Sequence, residues 1–392
     1  MLAAALVTEG IDELVDGTKG AAFPLIRADL HLSYTQVGLL IAIPLLVGGL
    51  LELPFGIVAG GGRRRSRFVV AGGVAFASSL TVVAFAHSFG VMLAGLVAFF
   101  PASGAFVSLT QAALMDADPD RHQQRMAAWN LAGSVGAVAG PLLLAGVLVA
   151  DGTWRMAYLL LAASALITTA VAAIAGPARL TQMRPEPGRD GSETDPGDQK
   201  TTVRQALAAV RDRQVARWLV LLEVIDLLLD VLTGYVGIYL VDVAHASPAL
   251  AAVGVAIRLG AGLAGDALWA AASHRVSGLA ALRAGAAAAC AAYPAFLLLP
   301  WLGAKLAVLA ALSIATACWY PVVQAELYGS LPGRSGIAVF WGSAAGMAGA
   351  VGPLAVGLIA QRAGLGWALI CLAVTPAVVL ALLPRRSLKV RR

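Results

Sequence analysis

Two apolar stretches of this 392-residue chain carry carboxylates at the same spacing. The six acids are Glu9, Asp12 and Asp16 in the first stretch and, 214 residues later, Glu223, Asp226 and Asp230 in the second. Positions i, i+3 and i+7 lie on one face of an α-helix, and Glu13 falls on the same face. A charge at the centre of a bilayer costs at least about 2.5–3.5 kcal/mol, and clustered carboxylates repel one another. If the helices span a membrane, we therefore expect some of these acids to bind and release protons near neutral pH.

Further charged residues in the apolar stretches extend this candidate site. Lys19 follows Asp16 by three residues, a spacing that predicts an ion pair within one helix. Arg258 has two interpretations: a structural counter-ion for the second acid face, or a binding group for an anionic part of a substrate. Glu52 and Asp266 fit gate contacts as well as proton coupling. The acid excess favours a cationic or zwitterionic substrate and the two bases favour an anionic one, so both interpretations stay open.

The elements that would position these residues are long apolar segments. The chain is 59% hydrophobic and 13% charged with a mean hydropathy of +0.81, whereas soluble domains contain about 25% charged residues. Twelve segments reach the length of about 20 residues that a spanning helix needs. They run at about 2–26, 36–59, 68–86, 89–114, 126–150, 156–176, 216–241, 248–271, 278–299, 302–327, 336–361 and 365–384. The composition predicts an all-α integral membrane protein, and a net charge of +6 is too small to suggest a nucleic-acid partner.

Lysine and arginine are concentrated in alternate loops, including the cluster at 63–67 and the tail at 385–392. The opposite loops contain only four basic residues, which are Arg27, Arg155, Lys305 and Arg362. By the positive-inside rule, both termini and the long central loop lie in the cytoplasm. We therefore expect a multi-pass protein of the inner or plasma membrane.

The acid triplets belong to a longer internal repeat. The matched pairs, at offsets of 214 to 212 residues, are Ser33 with Ser247, Glu52 with Asp266, and Gly140-Pro141 with Gly352-Pro353. The repeat predicts two six-helix halves at 1–177 and 214–392, joined by a cytoplasmic linker at 178–213. Because each half has an even number of spans, the two halves have the same orientation in the membrane.

Glycine and proline in the fifth and eleventh segments have two interpretations. Gly136 and Gly140 allow a neighbouring helix to approach closely, and Pro141 removes one backbone hydrogen bond. Gly352 and Pro353 repeat this arrangement in the eleventh segment. The residues either pack helices tightly or form a hinge on which the two halves rock.

The chain resembles the major facilitator superfamily in its predicted spans, its repeat and two motifs. Gly136–Pro141 is similar to the superfamily's antiporter motif GxxxGP, and Gly56–Arg65 is similar to its cytoplasmic motif GxLADRxGRR. Gly60 stands where that motif has Asp, and Gly61 stands where it has a basic residue. The motif's Asp takes part in a gate between the halves, so gating here must use other contacts. Residues 32–38 also resemble the start of the second span in fosmidomycin-resistance-like exporters.

The resemblance implies a secondary transporter that alternates access to a cavity between its halves, lined by the first, fourth, seventh and tenth spans. No ATPase motif is present, so we expect an ion gradient to drive it. The expected activity is proton-coupled efflux of a small organic molecule, a drug or metabolite, by a drug/proton antiporter that acts as a monomer without cofactor or metal. One alternative is proton-coupled uptake of a small solute or cation. Another is a membrane sensor or scaffold that does not transport, and in either case the acids could serve only to join helices.

Overall fold

The computed structural model describes residues 2–58, 63–116, 122–180, 211–330 and 349–384, and every regular element in these ranges is helical. The α-helices are α1 (Leu2–Asp29), α2 (Tyr34–Val58), α3 (Arg63–Ala84), α4 (Phe89–Ser103), α5 (Leu109–Asp116), α6 (His122–Val149), α7 (Trp154–Leu180), α8 (Arg213–Asp242), α9 (Pro248–Ala272), α10 (Gly278–Leu298), α11 (Leu302–Thr316), α12 (Trp319–Gly329), α13 (Val351–Ala363), α14 (Leu365–Cys371) and α15 (Thr375–Leu382). A π-helical turn joins α4 to α5, and a 3-10 turn joins α14 to α15.

Many of these helices are long and apolar enough to cross a membrane. Eight helical stretches in the described ranges satisfy both criteria, and a shorter apolar helix covers Tyr34–Gly48. α1 has 28 residues, or about 42 Å at 1.5 Å per residue. It is absent from the eight because its acid face makes it too highly charged. The number of twelve spans stays a prediction, because parts of the second and eleventh segments lie outside the described residues.

The helices group into two compact units. The first comprises Met1–Arg189 with Thr233–Leu259, and the second comprises Asp190–Leu232 with Gly260–Arg392. Both α8 and α9 are divided between the units. The halves at 1–177 and 214–392 and the linker at 178–213 stay a prediction.

Glycines bring α6 against α1 in the first unit. A Cβ atom at Gly136 would lie 2.2 Å from the carbonyl oxygen of Gly10, and one at Gly140 would lie 2.2 Å from that of Leu14. Gly17 makes a third contact of this kind from the α1 side. Only glycine permits such an approach of two helix backbones. The predicted GxxxGP motif of α6 therefore lies directly against the helix that carries the first acid face.

A π-helical turn interrupts the fourth predicted span. It covers Gly104–Ser108 and follows Pro101, which has no backbone N–H to donate. Phe99 before the turn and Phe106 within it both pack on Phe76 of α3, with ring centroids 4.9 and 5.7 Å apart. All three rings are buried. The turn is therefore fixed in the core, and π-helical turns of this kind are frequent at functional sites.

A buried lysine ties two helices together in the second unit. Lys305, in the first turn of α11, donates from Nζ to the carbonyl oxygens of Phe296 at 2.9 Å and Leu297 at 2.8 Å. These carbonyls belong to the last turn of α10, where no N–H of the helix is left to satisfy them. The lysine therefore caps α10, as expected for a cation at the negative end of a helix. Close packing continues along the pair, because a Cβ at Gly285 would lie 2.2 Å from the carbonyl oxygen of Ala315.

The start of α3 differs from the sequence-based prediction. We assigned the basic cluster at 63–67 to a loop, but α3 begins at Arg63 and includes the whole cluster. Arginine has a high helix propensity, so the helix extends beyond the apolar segment.

The turns that follow α1 and α8 have the same local conformation. His31 and His245, 214 residues apart, both adopt left-handed φ angles, of 50° and 55°. Two residues later, the hydroxyls of Ser33 and Ser247 each accept a hydrogen bond from the backbone N–H three positions on, at 3.1 and 3.3 Å. The repeat that the sequence indicates therefore extends to the backbone at these two turns.

Candidate functional site

The first acid face lies along α1 in the first unit. Glu9, Asp12 and Glu13 are half-buried, and Asp16 is exposed. Asp12 accepts a hydrogen bond from the hydroxyl of Ser103 at 2.8 Å. Because Ser103 is the last residue of α4 before the π-helical turn, the irregular part of that segment contacts the acid face directly.

Lys19 forms a cationic centre beside this face. Its Nζ lies 2.6 Å from Asp16 Oδ1, so the ion pair predicted from the i, i+3 spacing is confirmed. The same ammonium lies 5.7 Å from the ring centroid of Phe99 and 5.2 Å from that of Phe100. A carboxylate together with two aromatic faces is an environment that stabilises a cation.

α6 provides space and a hydrogen bond for the first acid of the face. The buried indole of Trp129 donates to the carboxylate of Glu9. A Cβ at Gly133 would lie 2.7 Å from Glu9 Oε1. Gly133 therefore leaves room for the carboxylate where α6 packs against α1.

The acid face of α8 is described in part. Glu223 and Asp226 are half-buried in the second unit. A Cβ at Gly349, just before α13, would lie 3.0 Å from Glu223 Oε2, so a glycine again faces the first acid of the triplet. Asp230 and Glu52 belong to α8 and α2, but their side chains lie outside the described part of the chain.

The remaining predicted residues fall in both units. Arg258 is half-buried in the first-unit part of α9, and Asp266 is exposed in the second-unit part. Pro353 is buried in α13, and a Cβ at the preceding Gly352 would lie 2.4 Å from Leu227 of α8. Pro141 is buried in α6, next to Gly140 and its contact with α1. Within the described residues, no group of three or more His, Cys, Asp or Glu side chains could hold a metal ion.

Comparison with protein families places the chain. Residues 11–335 match the family model described as Major Facilitator Superfamily. The chain belongs to this superfamily. It is therefore a multi-pass membrane transporter rather than an enzyme, and the resemblance drawn from its motifs is confirmed at that level. No curated protein matches the chain.

Solved structures with the superfamily fold cover nearly the whole chain. One is a bacterial homolog of the human lysosomal transporter Spinster, in an inward-facing and unoccupied conformation, at 15% identity and a TM-score of 0.77 over 97% of this chain and 95% of that one. Another is the nucleoside transporter NupG, at 12% identity and a TM-score of 0.76 over 98% and 99%. At these identities the likeness concerns the fold, and the predicted all-α membrane fold is confirmed.

Four residues of the site were missing from the sequence-based prediction for this superfamily member. They are Phe99, Phe100, Ser103 and Trp129. Their signal in the sequence is weak, because a serine after Phe-Phe-Pro in an apolar segment also fits ordinary packing. Their approach to α1 depends on how α4 and α6 pack, which a helical period does not contain.

Proposed function

We propose that this chain is a proton-coupled secondary transporter that exports a small organic molecule, and that the acid face of α1 carries the coupling protons. The observation that carries the proposal is the composition of that face. Of its four carboxylates, only Asp16 has an ion-pair partner within the described residues. A half-buried carboxylate without a cation nearby can carry a proton, because burial penalises its charge.

The proposed cycle uses Asp12 and Asp16 in different ways. Protons that enter from outside neutralise both acids, and a neutral Asp16 holds neither Lys19 nor a cationic substrate strongly. Substrate then leaves toward the outside. Loss of the protons to the cytoplasm restores the charges, the Asp16–Lys19 pair and the acceptor for Ser103. The acid face of α8, with Glu223 and Asp226, is proposed to act in the same way in the second half of the repeat.

The opposite direction is the second candidate, and one observation favours it. Asp16, Phe99 and Phe100 already surround an ammonium group, that of Lys19, at distances suited to a cation. A transporter that takes up a cationic solute would use the same chemistry. Export is preferred because α6 carries the antiporter-like motif. Flux assays in right-side-out and inverted vesicles distinguish the two directions.

The proposal is tested by removing the acids in proteoliposomes with a trapped pH-sensitive dye. A panel of organic cations, zwitterions and anions is added across an imposed proton gradient, and proton movement that depends on each compound is recorded. Asp16→Asn and Asp226→Asn should each reduce coupled proton movement at least tenfold, and the double variant should abolish it. Asp29→Asn is the matched control, since Asp29 is an α1 carboxylate that pairs with Arg155 away from the acid face.

Two outcomes would contradict the proposal. Coupled movement that persists in the double variant would remove the acids from the mechanism. Specific binding of a compound without any flux would favour the sensor or scaffold. Two parallel six-helix halves, cytoplasmic termini, the inner membrane as location and a monomeric state belong to the same proposal. Labelling of single cysteines from either side of the membrane tests the orientation.

A further inference from the structure

Three side chains from both parts of the repeat meet at one end of α1. Arg27 Nη1 lies 2.6 Å from Asp242 Oδ2, at the last residue of α8. Tyr34, the first residue of α2, donates its hydroxyl to the same carboxylate oxygen at 2.8 Å. The Arg27 guanidinium also lies over the Tyr34 ring, 4.1 Å from its centroid. One carboxylate thus receives two donors that are themselves in contact.

Glycines allow α1 and the end of α8 to approach below this cluster. A Cβ at Gly237 would lie 3.0 Å from the carbonyl oxygen of Gly20, and one at Gly20 would lie 3.0 Å from that of Thr233. A Cβ at Gly234 would lie 2.7 Å from the side chain of Ile41 in α2. The contact therefore covers about two helical turns of each element, with Arg27 and its partners at the end.

We infer that Arg27, Asp242 and Tyr34 form the outer gate of the transporter. This inference rests on the proposed function and on the predicted orientation, in which the loop after α1 faces outside. In the repeat, α1 and α8 are equivalent helices of two halves. An exchanger that opens to the outside must separate the outer ends of those helices, and this cluster joins them.

The burial of the pair suits a contact that breaks and reforms. The side chains of Arg27 and Asp242 are 26% and 22% exposed. Water can therefore replace the lost partners when the pair opens, whereas a fully buried pair would leave two unhydrated charges. The gate is strong enough to favour the closed state and weak enough to be opened by differential binding of substrate or protons.

A second ion pair at the same end provides a control. Arg155 of α7 lies 2.5 Å from Asp29 of α1 and donates to the carbonyl oxygens of Ala84 and Ala86 at the end of α3. All these groups belong to the first half of the repeat. The Arg155 pair should therefore stabilise that half without opposing the separation of α1 from α8.

The test measures the gate directly by electron paramagnetic resonance. Spin labels are attached at Phe85→Cys and Leu250→Cys, two exposed positions outside the gate, in the full chain with Cys290, Cys318 and Cys371 replaced by alanine. Distance distributions are recorded without added compound. Arg27→Gln should raise the ratio of the long-distance to the short-distance population about tenfold, as expected for the loss of a charge-assisted hydrogen bond.

Two further variants keep the inference testable if Arg27→Gln folds poorly. Tyr34→Phe keeps the ring and removes one donor, so it should shift the same ratio about threefold to fivefold. Arg155→Gln should lower thermal stability and leave the ratio unchanged. An unchanged ratio in Arg27→Gln or Tyr34→Phe, or an equal shift in Arg155→Gln, would overturn the gate. Transport does not enter these readouts, so loss of coupling in acid variants with an intact distance shift would refute the proposed function alone.

Discussion

Replacing Gly136 by alanine is the sharpest test of how the GxxxGP motif acts. The added Cβ would lie 2.2 Å from the carbonyl oxygen of Gly10, which is a backbone atom of α1 and has no side-chain rotamer with which to move away. The helices would have to separate by about 1 Å to restore ordinary van der Waals contact. Gly136→Ala therefore acts on the helix that carries Glu9, Asp12 and Asp16.

The expected magnitude follows from two opposing contributions. Overpacking of a close contact costs about 1–3 kcal/mol, and the upper end applies where the obstacle is backbone. Alanine recovers about 1 kcal/mol of helix propensity relative to glycine. Gly136→Ala should thus lose about 2 kcal/mol of stability. Gly146, on the same helix, has no atom within 4 Å of an added Cβ, so Gly146→Ala should be neutral or stabilise by up to about 1 kcal/mol.

Thermal unfolding of the two variants in one detergent provides the measurement. Gly136→Ala should unfold below the wild type and Gly146→Ala at or above it, and coupled proton movement should fall in the first only. If both variants unfold at the same temperature, α6 does not pack on α1 through this glycine. If Gly136→Ala keeps its stability and loses transport, the motif acts as a hinge instead.

Three other substitutions test single contacts. Ser103→Ala removes the donor to Asp12 and should lower coupled transport at a stability loss of about 1 kcal/mol or less, while Ser103→Thr should restore it. Lys19→Met leaves Asp16 and its aromatic neighbours open to an added cation. Binding of organic cations by calorimetry should strengthen about tenfold, and lost binding of anions with unchanged cation binding would identify Lys19 as an anion anchor. Lys305→Met leaves the last carbonyls of α10 without their cap and should lower stability by about 1–3 kcal/mol in thermal unfolding. The exposed Arg362, replaced by glutamine, should cause no such loss.

Local periodicity accounts for what the sequence predicted correctly. The acid face of α1 and the Lys19–Asp16 pair involve residues within three or four positions on one helix, where geometry is fixed by 3.6 residues per turn. The apolar segments predicted the membrane fold for a related reason, since a bilayer requires helices of a given length. The motif resemblance then selected the superfamily, which the match over residues 11–335 confirms.

Contacts between distant segments account for what the sequence left out. Ser103 and Asp12 are 91 residues apart, and Arg27 and Asp242 are 215 residues apart. No period links such pairs, and each residue alone has an ordinary explanation in its own helix. The π-helical turn at Gly104–Ser108 is also invisible to a helical period, although Pro101 marks the irregularity.

The few basic residues at the predicted outer end show a rule that the orientation argument did not contain. The positive-inside rule concerns insertion and treats such residues as exceptions. In the structure, Arg27 pairs with Asp242, Arg155 pairs with Asp29, and Lys305 caps a helix. Each of these cations has a carboxylate or helix carbonyls at its own end of the molecule, and each joins elements that the chain leaves separate. A basic residue on the translocated side of such a transporter is therefore a good guide, from sequence alone, to where helix ends are tied together and where a gate should be sought.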